Sequence, residues 1–206
     1  VTDVNGCVGS TAPVTYTVNP LPNGTLTANT PTTVCEDAGS VTFAATGGAS
    51  YQFRIDGVIE QAWSSTASFT HVFTDDGVVT VDVANGANGS GCTKSYTPGI
   101  PVTVTPLPTG TISVTENSGA LNNAEICSGS PVTYTFSKTG YTSYEFFVGG
   151  VSKQKTSSNI FTTTALAAGQ QVTVIVTGAG CSQTFPAPNV TVVTAPAAVL
   201  AVSPKN

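Results

Sequence analysis

The sequence predicts an all-β protein made of tandem β-sandwich repeats that are joined by short Pro-rich linkers. One observation is compositional: Thr, Val, Ser and Gly are abundant, and only 8% of residues are charged. Another is a set of short segments in which apolar and polar residues alternate, the period of a half-buried strand. The third is a duplicated stretch, Tyr-Thr-Val-Asn-Pro-Leu-Pro-Asn-Gly from Tyr16 and Val-Thr-Val-Thr-Pro-Leu-Pro-Thr-Gly from Val102. Self-similarity at a fixed period is the signature of repeat architectures.

The spacing of the duplicated stretch predicts the domain boundaries. Pro20 and Pro106 are 86 residues apart (106 − 20), about the length of one small β-sandwich. We therefore expect the C-terminal strands of a truncated repeat in residues 1–20 and the start of a further repeat in residues 196–206. Complete repeats are predicted over residues 21–106 and 107–195, and the chain has the pattern of a window from a longer protein.

Alternation predicts the strands of the first complete repeat at 24–28, 41–46, 51–55, 67–73, 78–84 and 101–105. Gly, Asp and Ser separate these strands and favour turns. In the second repeat, Val132, Tyr134 and Phe136 correspond to the strand at 41–46. The truncated repeat is expected to contribute a strand at 14–18.

The linkers contain two prolines each: Pro20, Leu21 and Pro22, then Pro106, Leu107 and Pro108. Proline fixes φ and removes an amide donor, so the chain must leave one sheet before it enters the next. We expect short, stiff joints close to polyproline II. The two leucines are predicted to be apolar plugs between neighbouring sandwiches.

Charge and hydropathy exclude two classes of partner. The net charge is −5, and the six basic residues are scattered, whereas nucleic-acid binding needs clustered Lys and Arg. No apolar run approaches the roughly 18 residues of a membrane-spanning helix. We therefore expect no nucleic acid and no membrane insertion.

Five cysteines are available to cross-link these small domains by disulfides: Cys7, Cys35, Cys92, Cys127 and Cys181. Cys35 and Cys92 are 57 residues apart, and Cys127 and Cys181 are 54 apart. This similarity predicts one disulfide per repeat, Cys35–Cys92 and Cys127–Cys181, with the partner of Cys7 upstream of residue 1. Disulfides indicate an extracellular location. The alternatives are free thiols in a reducing compartment or a metal site, which the lack of a Cys-x-x-Cys pair disfavours.

The search for catalytic chemistry turns up little. His71 is the only histidine and lies in an alternating apolar strand, where a structural role is expected. No motif of a nucleophile elbow, phosphate loop or zinc protease is present. We predict that the protein is not an enzyme, with no catalytic residues, metal or cofactor.

Acidic side chains near turns raise the question of calcium. Asp3, Asp56, Asp75-Asp76 and Glu36-Asp37 occupy such positions, but calcium needs six to eight converging oxygens. Solvated turn carboxylates are the favoured interpretation. Trp63, placed in a predicted loop at 60–65, is the one candidate ligand contact, since an exposed indole could stack on a sugar.

The run Val-Thr-Asp-Val-Asn-Gly-Cys from Val1, the linker that follows, a cysteine before Val41 and the Tyr-Gln-Phe from Tyr51 carry a family likeness. They resemble the Ig-like/PKD-like repeats of Bacteroidota surface proteins, above all the giant gliding-motility adhesins of the SprB type. The resemblance implies tandem Ig-like β-sandwich repeats and export by type IX secretion. Phe53 and Phe146 stand where that family often has Trp.

The predicted function is that of a non-catalytic stalk segment of a long extracellular cell-surface adhesin or filament. The resemblance implies surface adhesion and gliding motility, with the motility and secretion machinery as partners. Neighbouring repeats are the expected direct partners, and surface glycans or the substratum are expected at a distal tip. The alternative is a glycan-binding module, or an accessory Ig-like region of a secreted polysaccharide-degrading enzyme.

Overall fold

A computed structural model describes residues 1–36, 39–116 and 123–194. The chain divides into two compact units. Unit 1 comprises Val1–Thr32 and Gly39–Thr103, and unit 2 comprises Thr33–Ala38 and Val104–Asn206. The regular structure is β-strand apart from one short 3₁₀ turn, Ala87–Gly89, which confirms the predicted all-β class.

Unit 1 contains two antiparallel sheets. The first eight strands of the chain are β1 (Leu26–Ala28), β2 (Thr33–Cys35), β3 (Ser40–Ala45), β4 (Ser50–Ile55), β5 (Val58–Ser64), β6 (Ser68–Val72), β7 (Gly77–Ala84) and β8 (Thr93–Thr105). One sheet of unit 1 has the order β1-β3-β6, and the other has the order β5-β4-β7-β8 and continues to β2 as its fifth strand. In unit 2, β2 lies beside the end of β8, where the Glu36 N–H donates to the Thr105 carbonyl at 2.9 Å.

Aromatic rings and valines fill the core of unit 1. The inward residues of β3, Val41, Phe43 and Ala45, are buried, and they alternate with half-buried and exposed neighbours. The Phe53 ring of β4 stacks on the Phe69 ring of β6, with centroids 5.3 Å apart, and this contact joins the two sheets. Such stacked pairs are worth about 0.5–1.5 kcal/mol beyond the area that they bury.

Unit 2 repeats this arrangement of strands. Its strands are β9 (Ile112–Glu116), β10 (Glu125–Cys127), β11 (Val132–Phe136), β12 (Ser143–Val148), β13 (Val151–Thr156), β14 (Ile160–Thr163), β15 (Val172–Gly178), β16 (Cys181–Pro186) and β17 (Thr191–Val193). The sheet orders are β9-β11-β14 and β13-β12-β15-β16. A short parallel pair, β10-β17, completes the unit.

The core of unit 2 uses matching positions. The Phe146 ring of β12 stacks on Phe161 of β14 at 5.3 Å, the same distance as the Phe53–Phe69 pair of unit 1. Tyr134 from β11 is buried beside Phe161. Phe146 is fully buried, so it fills the aromatic core position that the sequence predicts for it.

The six strands predicted for the first complete repeat are present, most of them with ends shifted by one or two residues. Two elements of the first repeat were not predicted. β2 has only three residues, and its half-buried positions give no period. β5 is an edge strand with mostly exposed residues, so alternation carries no signal there. β8 also starts earlier than expected, at Thr93.

Residues 14–18 do not form the predicted strand, and only a bridge between Thr2 and Val8 orders the preceding segment. Val14, Tyr16 and Val18 are 73%, 86% and 91% exposed. A strand needs a hydrogen-bonded neighbour, and these residues have no strand beside them in the described part of the chain. The predicted start of a further repeat at 196–206 lies outside the described residues.

The two units are not the same residue sets as the predicted repeats. The segment Thr33–Ala38 belongs to the predicted repeat 21–106, yet it belongs to unit 2 in space. The repeat boundaries thus stay a prediction. Within the described residues, no helix is long and apolar enough to cross a membrane.

The pH dependence of stability tests the packing of unit 2. Burial raises the pKa of Tyr134 from 10.0 to about 12. The unfolded phenol ionises near pH 10 while the folded one stays neutral. The contribution of Tyr134 to the free energy of unfolding is therefore intact below pH 10. It declines as the pH rises from about 10 to about 12, by up to roughly 3 kcal/mol. Urea unfolding between pH 8 and 12 measures this decline.

Tyr134→Phe should flatten this alkaline decline, because phenylalanine has no proton to lose. Tyr16→Phe is the matched control, since Tyr16 is exposed, and it should leave the decline unchanged. Equal alkaline slopes for the wild type and Tyr134→Phe would contradict the assignment.

Candidate functional site: cysteine hairpins and proline linkers

Unit 2 contains a disulfide between Cys35 of β2 and Cys181 of β16. The two Cα atoms are 5.6 Å apart, within the usual range for a disulfide. Cys181 is buried and Cys35 is half-buried. The bond encloses a sequence separation of 146 residues, worth roughly 5 kcal/mol in the chain-entropy model.

This bond excludes both predicted pairs, Cys35–Cys92 and Cys127–Cys181. The prediction assumed that the cysteines of one sequence repeat meet in one sandwich. β2 instead lies in unit 2, which brings Cys35 to the β15–β16 hairpin. In the described residues Cys7 and Cys92 form no disulfide, and an upstream partner for Cys7 stays a prediction. Cys127 lies in β10, in register with Val193 of β17.

The disulfide of unit 2 lies at the start of the Pro106-Leu107-Pro108 segment, which is the predicted linker. The Cys181 sulfur is 3.8 Å from the carbonyl oxygen of Thr105, the residue before Pro106. The same oxygen accepts the Glu36 N–H at 2.9 Å. The Glu36 carboxylate accepts the Leu107 N–H at 3.4 Å. Segment 33–36 therefore holds the beginning of the linker in place.

Unit 1 holds its own linker with a cysteine at the matching position. The Cys92 thiol donates to the carbonyl oxygen of Asn19, the residue before Pro20, at 3.6 Å. The Asn85 side-chain amide donates to the Pro20 carbonyl at 2.7 Å. Asn19 and Thr105 are 86 residues apart, the offset of the two linkers. Cys92 and Cys181 therefore occupy equivalent sites.

In each unit one tyrosine hydroxyl hydrogen-bonds to the backbone at the C-terminal end of the linker. The two tyrosines lie at different positions of their units. In unit 1 the Tyr96 hydroxyl donates to the Pro22 carbonyl at 3.0 Å and accepts the Gly24 N–H. In unit 2 the Tyr141 hydroxyl accepts the Thr109 N–H at 3.0 Å and donates to the Thr109 carbonyl at 3.2 Å. The backbone hydrogen bond to Thr109 lowers the pKa of Tyr141.

Neither tyrosine has a tyrosine at the corresponding position of the other unit. Val81 pairs with Tyr96 in unit 1, and its counterpart Val174 pairs with Phe185 in unit 2. At the position of Tyr141, unit 1 has Gly48, since each N–H donates to the tyrosine three residues on. Each unit thus supplies one tyrosine hydroxyl to its linker. The sequence does not reveal this shared contact, because Tyr96 and Tyr141 do not align.

The linker residues are only partly where the sequence places them. Pro22 and Pro108 are buried, whereas Pro20 and Pro106 are exposed. Leu107 is half-buried, and Leu21 is 62% exposed. The role of Leu21 and Leu107 as plugs between neighbouring sandwiches stays a prediction, and the contacts that anchor the first linker are made by the carbonyls of residues 19, 20 and 22.

Trp63 lies in strand β5 and not in the predicted loop. Its indole is half-buried. A Cβ at Gly89 would come within 2.6 Å of the ring, so the indole packs directly on the backbone of the 3₁₀ turn. Gly89 also has a φ of +78°, which glycine adopts without strain. The geometry favours a packing role for Trp63 over a free stacking platform.

The remaining candidates make structural contacts. His71 is flanked by the rings of Phe69 and Phe73, at 5.8 and 4.9 Å. Asp3 accepts the N–H groups of Asn5 and Cys7. Asp56 accepts the Val78 N–H at 2.9 Å. Across residues 1–36, 39–116 and 123–194, no group of three or more His, Cys, Asp or Glu side chains could hold a metal ion.

The chain matches no known family model, and no curated protein sequence matches it either. The solved structures similar to it include the fibronectin(III)-like modules of Clostridium thermocellum CbhA. That similarity has 13% sequence identity and a TM-score of 0.36, over 82% of this chain and 95% of that chain. Murine CEACAM1b is similar at 12% identity and a TM-score of 0.36, over 83% and 100%.

A third similar structure is the Bacteroides ovatus mixed-linkage glucan utilization locus protein SGBP-B, in complex with mixed-linkage heptasaccharide. It has 14% identity and a TM-score of 0.28, over 86% of this chain and 48% of that chain. Likeness at this level carries no argument about function. The β-sandwich assignment rests on the strand orders and cores described above.

The disulfide predicts a specific result in peptide mapping. Trypsin cuts after Lys and Arg, so Cys7 and Cys35 share fragment 1–54, and fragments 55–94, 95–138 and 156–205 hold one cysteine each. In a Cys7→Ser variant, mass spectrometry without reductant should find fragment 1–54 joined to 156–205. Fragment 1–54 joined to 55–94 would contradict the structure.

Removing the bond should also lower stability. The double variant Cys35→Ser, Cys181→Ser should lose roughly 2–5 kcal/mol of unfolding free energy, measured in urea. Cys92→Ser is the matched control, because it removes a half-buried thiol without breaking the bond, and it should cost less than about 1 kcal/mol.

The packing of Trp63 predicts that Trp63→Ala costs on the order of 2 kcal/mol, less than a fully buried Trp would. Gly89→Ala should be destabilising as well, because its Cβ meets the ring. Circular dichroism in urea measures both, and Glu60→Ala, exposed on the same strand, is the control. Wild-type stability in Trp63→Ala would show that the indole is a free surface group.

Proposed function

We propose that this chain is a non-catalytic stalk segment of a long, repetitive, extracellular cell-surface adhesin or filament. In this role it separates a binding tip from the cell, and its family resemblance associates it with surface adhesion and gliding motility in Bacteroidota. The direct partners are neighbouring repeats of the same chain, and the motility and type IX secretion machinery handle the whole protein.

The observation that carries this proposal is the matched pair of units. In both units the three-stranded sheet and four strands of the second sheet follow the same strand order, and β2 adds a fifth strand beside β8. Each holds a Pro-Leu-Pro linker by a cysteine on its last hairpin and by one tyrosine. The two units share their core positions and the contacts around the Pro-Leu-Pro segment. A spacer requires these features, whereas a binding site would require a loop constellation.

The topology of the disulfide also supports a mechanical role. When the two chain ends are pulled, tension passes along residues 1–35, through the Cys35–Cys181 bond, and along residues 181–206. Residues 36–180 are bypassed, because the covalent bond is shorter than the chain that it spans. Most of both sandwiches is therefore protected from load while the bond is intact.

The glycan-binding alternative has less support. Its one candidate contact, Trp63, is half-buried against the backbone at Gly89. A sugar-binding platform needs an exposed aromatic face, and the larger part of this ring is committed to packing.

Single-molecule stretching tests the mechanical part of the proposal. Reduction of the disulfide should add the sequence separation of 146 residues to the extensible chain, about 500 Å at roughly 3.4 Å per residue. The oxidised protein should lack this extension. The double variant without Cys35 and Cys181 should behave like the reduced protein under both conditions.

The cellular role is tested by replacing this segment in the parent protein. A stalk predicts that an unrelated pair of β-sandwich domains of equal length restores adhesion, whereas deletion shortens the surface filament and weakens adhesion. Immunolabelling of intact cells should locate the segment outside. Loss of adhesion with the length-matched replacement, or a segment found only inside the cell, would overturn the proposal.

A further inference from the structure

We propose that Cys92 is the receiving half of a second disulfide, formed with a β2-like strand of the preceding repeat. This inference rests on the proposed function, because it requires a repeat before unit 1. The occupant is an extended segment of the type Thr-Val-Cys-Glu, which is the sequence of β2 and Glu36. Successive repeats would then be locked together by one bond at every linker.

The occupied joint of unit 2 shows what such a site contains. The residue before the linker, Thr105, presents its carbonyl to the hairpin cysteine and to the Glu36 N–H. The donor strand brings both that N–H and the cysteine that bonds to Cys181. Hydrogen bonding and the disulfide therefore come from one short segment, 33–36.

The joint of unit 1 repeats the receiving side of this arrangement. Cys92 lies 3.6 Å from the Asn19 carbonyl, as Cys181 lies 3.8 Å from that of Thr105. The Cys92 side chain is half-buried and oriented by that contact. A bonded cysteine at the equivalent site of the same chain is an independent indication that Cys92 accepts a disulfide.

The chain beside this site has the character of an unpaired strand. Val14, Tyr16 and Val18 alternate and are at least 73% exposed. Their counterparts at the 86-residue offset are Ile100, Val102 and Val104, which lie in β8 and are buried or half-buried. Exposed apolar residues in an alternating row mark a surface that another element covers.

These two features select one kind of partner. The segment that contains β2 bonds to Thr103 and Thr105, so a strand that pairs in the same manner along 17–19 would place a cysteine opposite Asn19, next to Cys92. The residues of β2 that act in unit 2 are a cysteine and, one position later, a backbone N–H with a carboxylate. The partner is therefore a cysteine-bearing strand, not a small ligand.

The bond forms by thiol–disulfide exchange with a disulfide oxidant of the cell envelope. The two thiols lose two protons and two electrons, one S–S bond forms between them, and the oxidant disulfide is reduced to two thiols. In a test with an activated peptide, the Cys92 thiolate attacks the peptide sulfur, and a thiopyridone leaves with the electron pair.

The test uses the whole 206-residue chain and a synthetic peptide of residues 30–36 with its cysteine activated as a pyridyl disulfide. The matched control peptide carries an N-methyl group on the Glu36 nitrogen, which removes the N–H that would pair with Asn19. Thiopyridone release gives the rate, and tryptic mapping identifies the modified cysteine. A Cys7→Ser, Cys127→Ser protein restricts the reaction to Cys92, because Cys35 and Cys181 are bonded to each other.

We expect Cys92 to react at least tenfold faster with the parent peptide than with the N-methyl peptide. Cys7, measured in Cys92→Ser, should react equally with both. Equal rates at Cys92, or a native Cys7–Cys92 bond in the untreated protein, would overturn the proposal. Such a failure leaves the stalk function intact, because that function is decided by the length-matched replacement in cells.

Discussion

The backbone contacts around the two Pro-Leu-Pro segments depend on one constraint, the amide donors that the prolines lack. Two prolines in three residues take the chain out of both sheets, so the carbonyls around them need partners from elsewhere. Side chains supply them: Asn85 for Pro20, Tyr96 for Pro22 and Cys92 for Asn19. The hairpins of each sandwich are therefore arranged around a segment that has no regular structure of its own.

This constraint explains why the two units differ in sequence yet agree in contacts. The hydroxyl at the far end of the linker comes from Tyr96 in one unit and from Tyr141 in the other. At the near end, a cysteine sulfur meets the carbonyl before the first proline in both. Both units have a tyrosine hydrogen bond to the linker backbone and a cysteine sulfur beside the carbonyl before the first proline. The position in the unit from which the hydroxyl comes differs.

The cores and the joint contribute to stability in different ways. The stacked pairs Phe53–Phe69 and Phe146–Phe161 hold the sheets of each sandwich together by burial. The Cys35–Cys181 bond acts on the chain as a whole, since it limits the conformations of the unfolded state. In the stalk role that we propose, the packed layers can be modest because a covalent bond carries the force.

Local sequence determined the class, the long central strands and the aromatic core positions, because alternation reports directly which face of a strand is buried. It could not reveal β2, whose three residues are too few to show a period, and it placed Trp63 in a loop because edge strands alternate weakly. The disulfide partners were decided by tertiary structure alone. Cys35 is nearer in sequence to Cys92 than to Cys181, but β2 lies in unit 2, where Cys181 is within bonding distance. Spacing along a chain cannot show into which sandwich a short strand inserts, because that choice depends on the packing of residues far away in sequence.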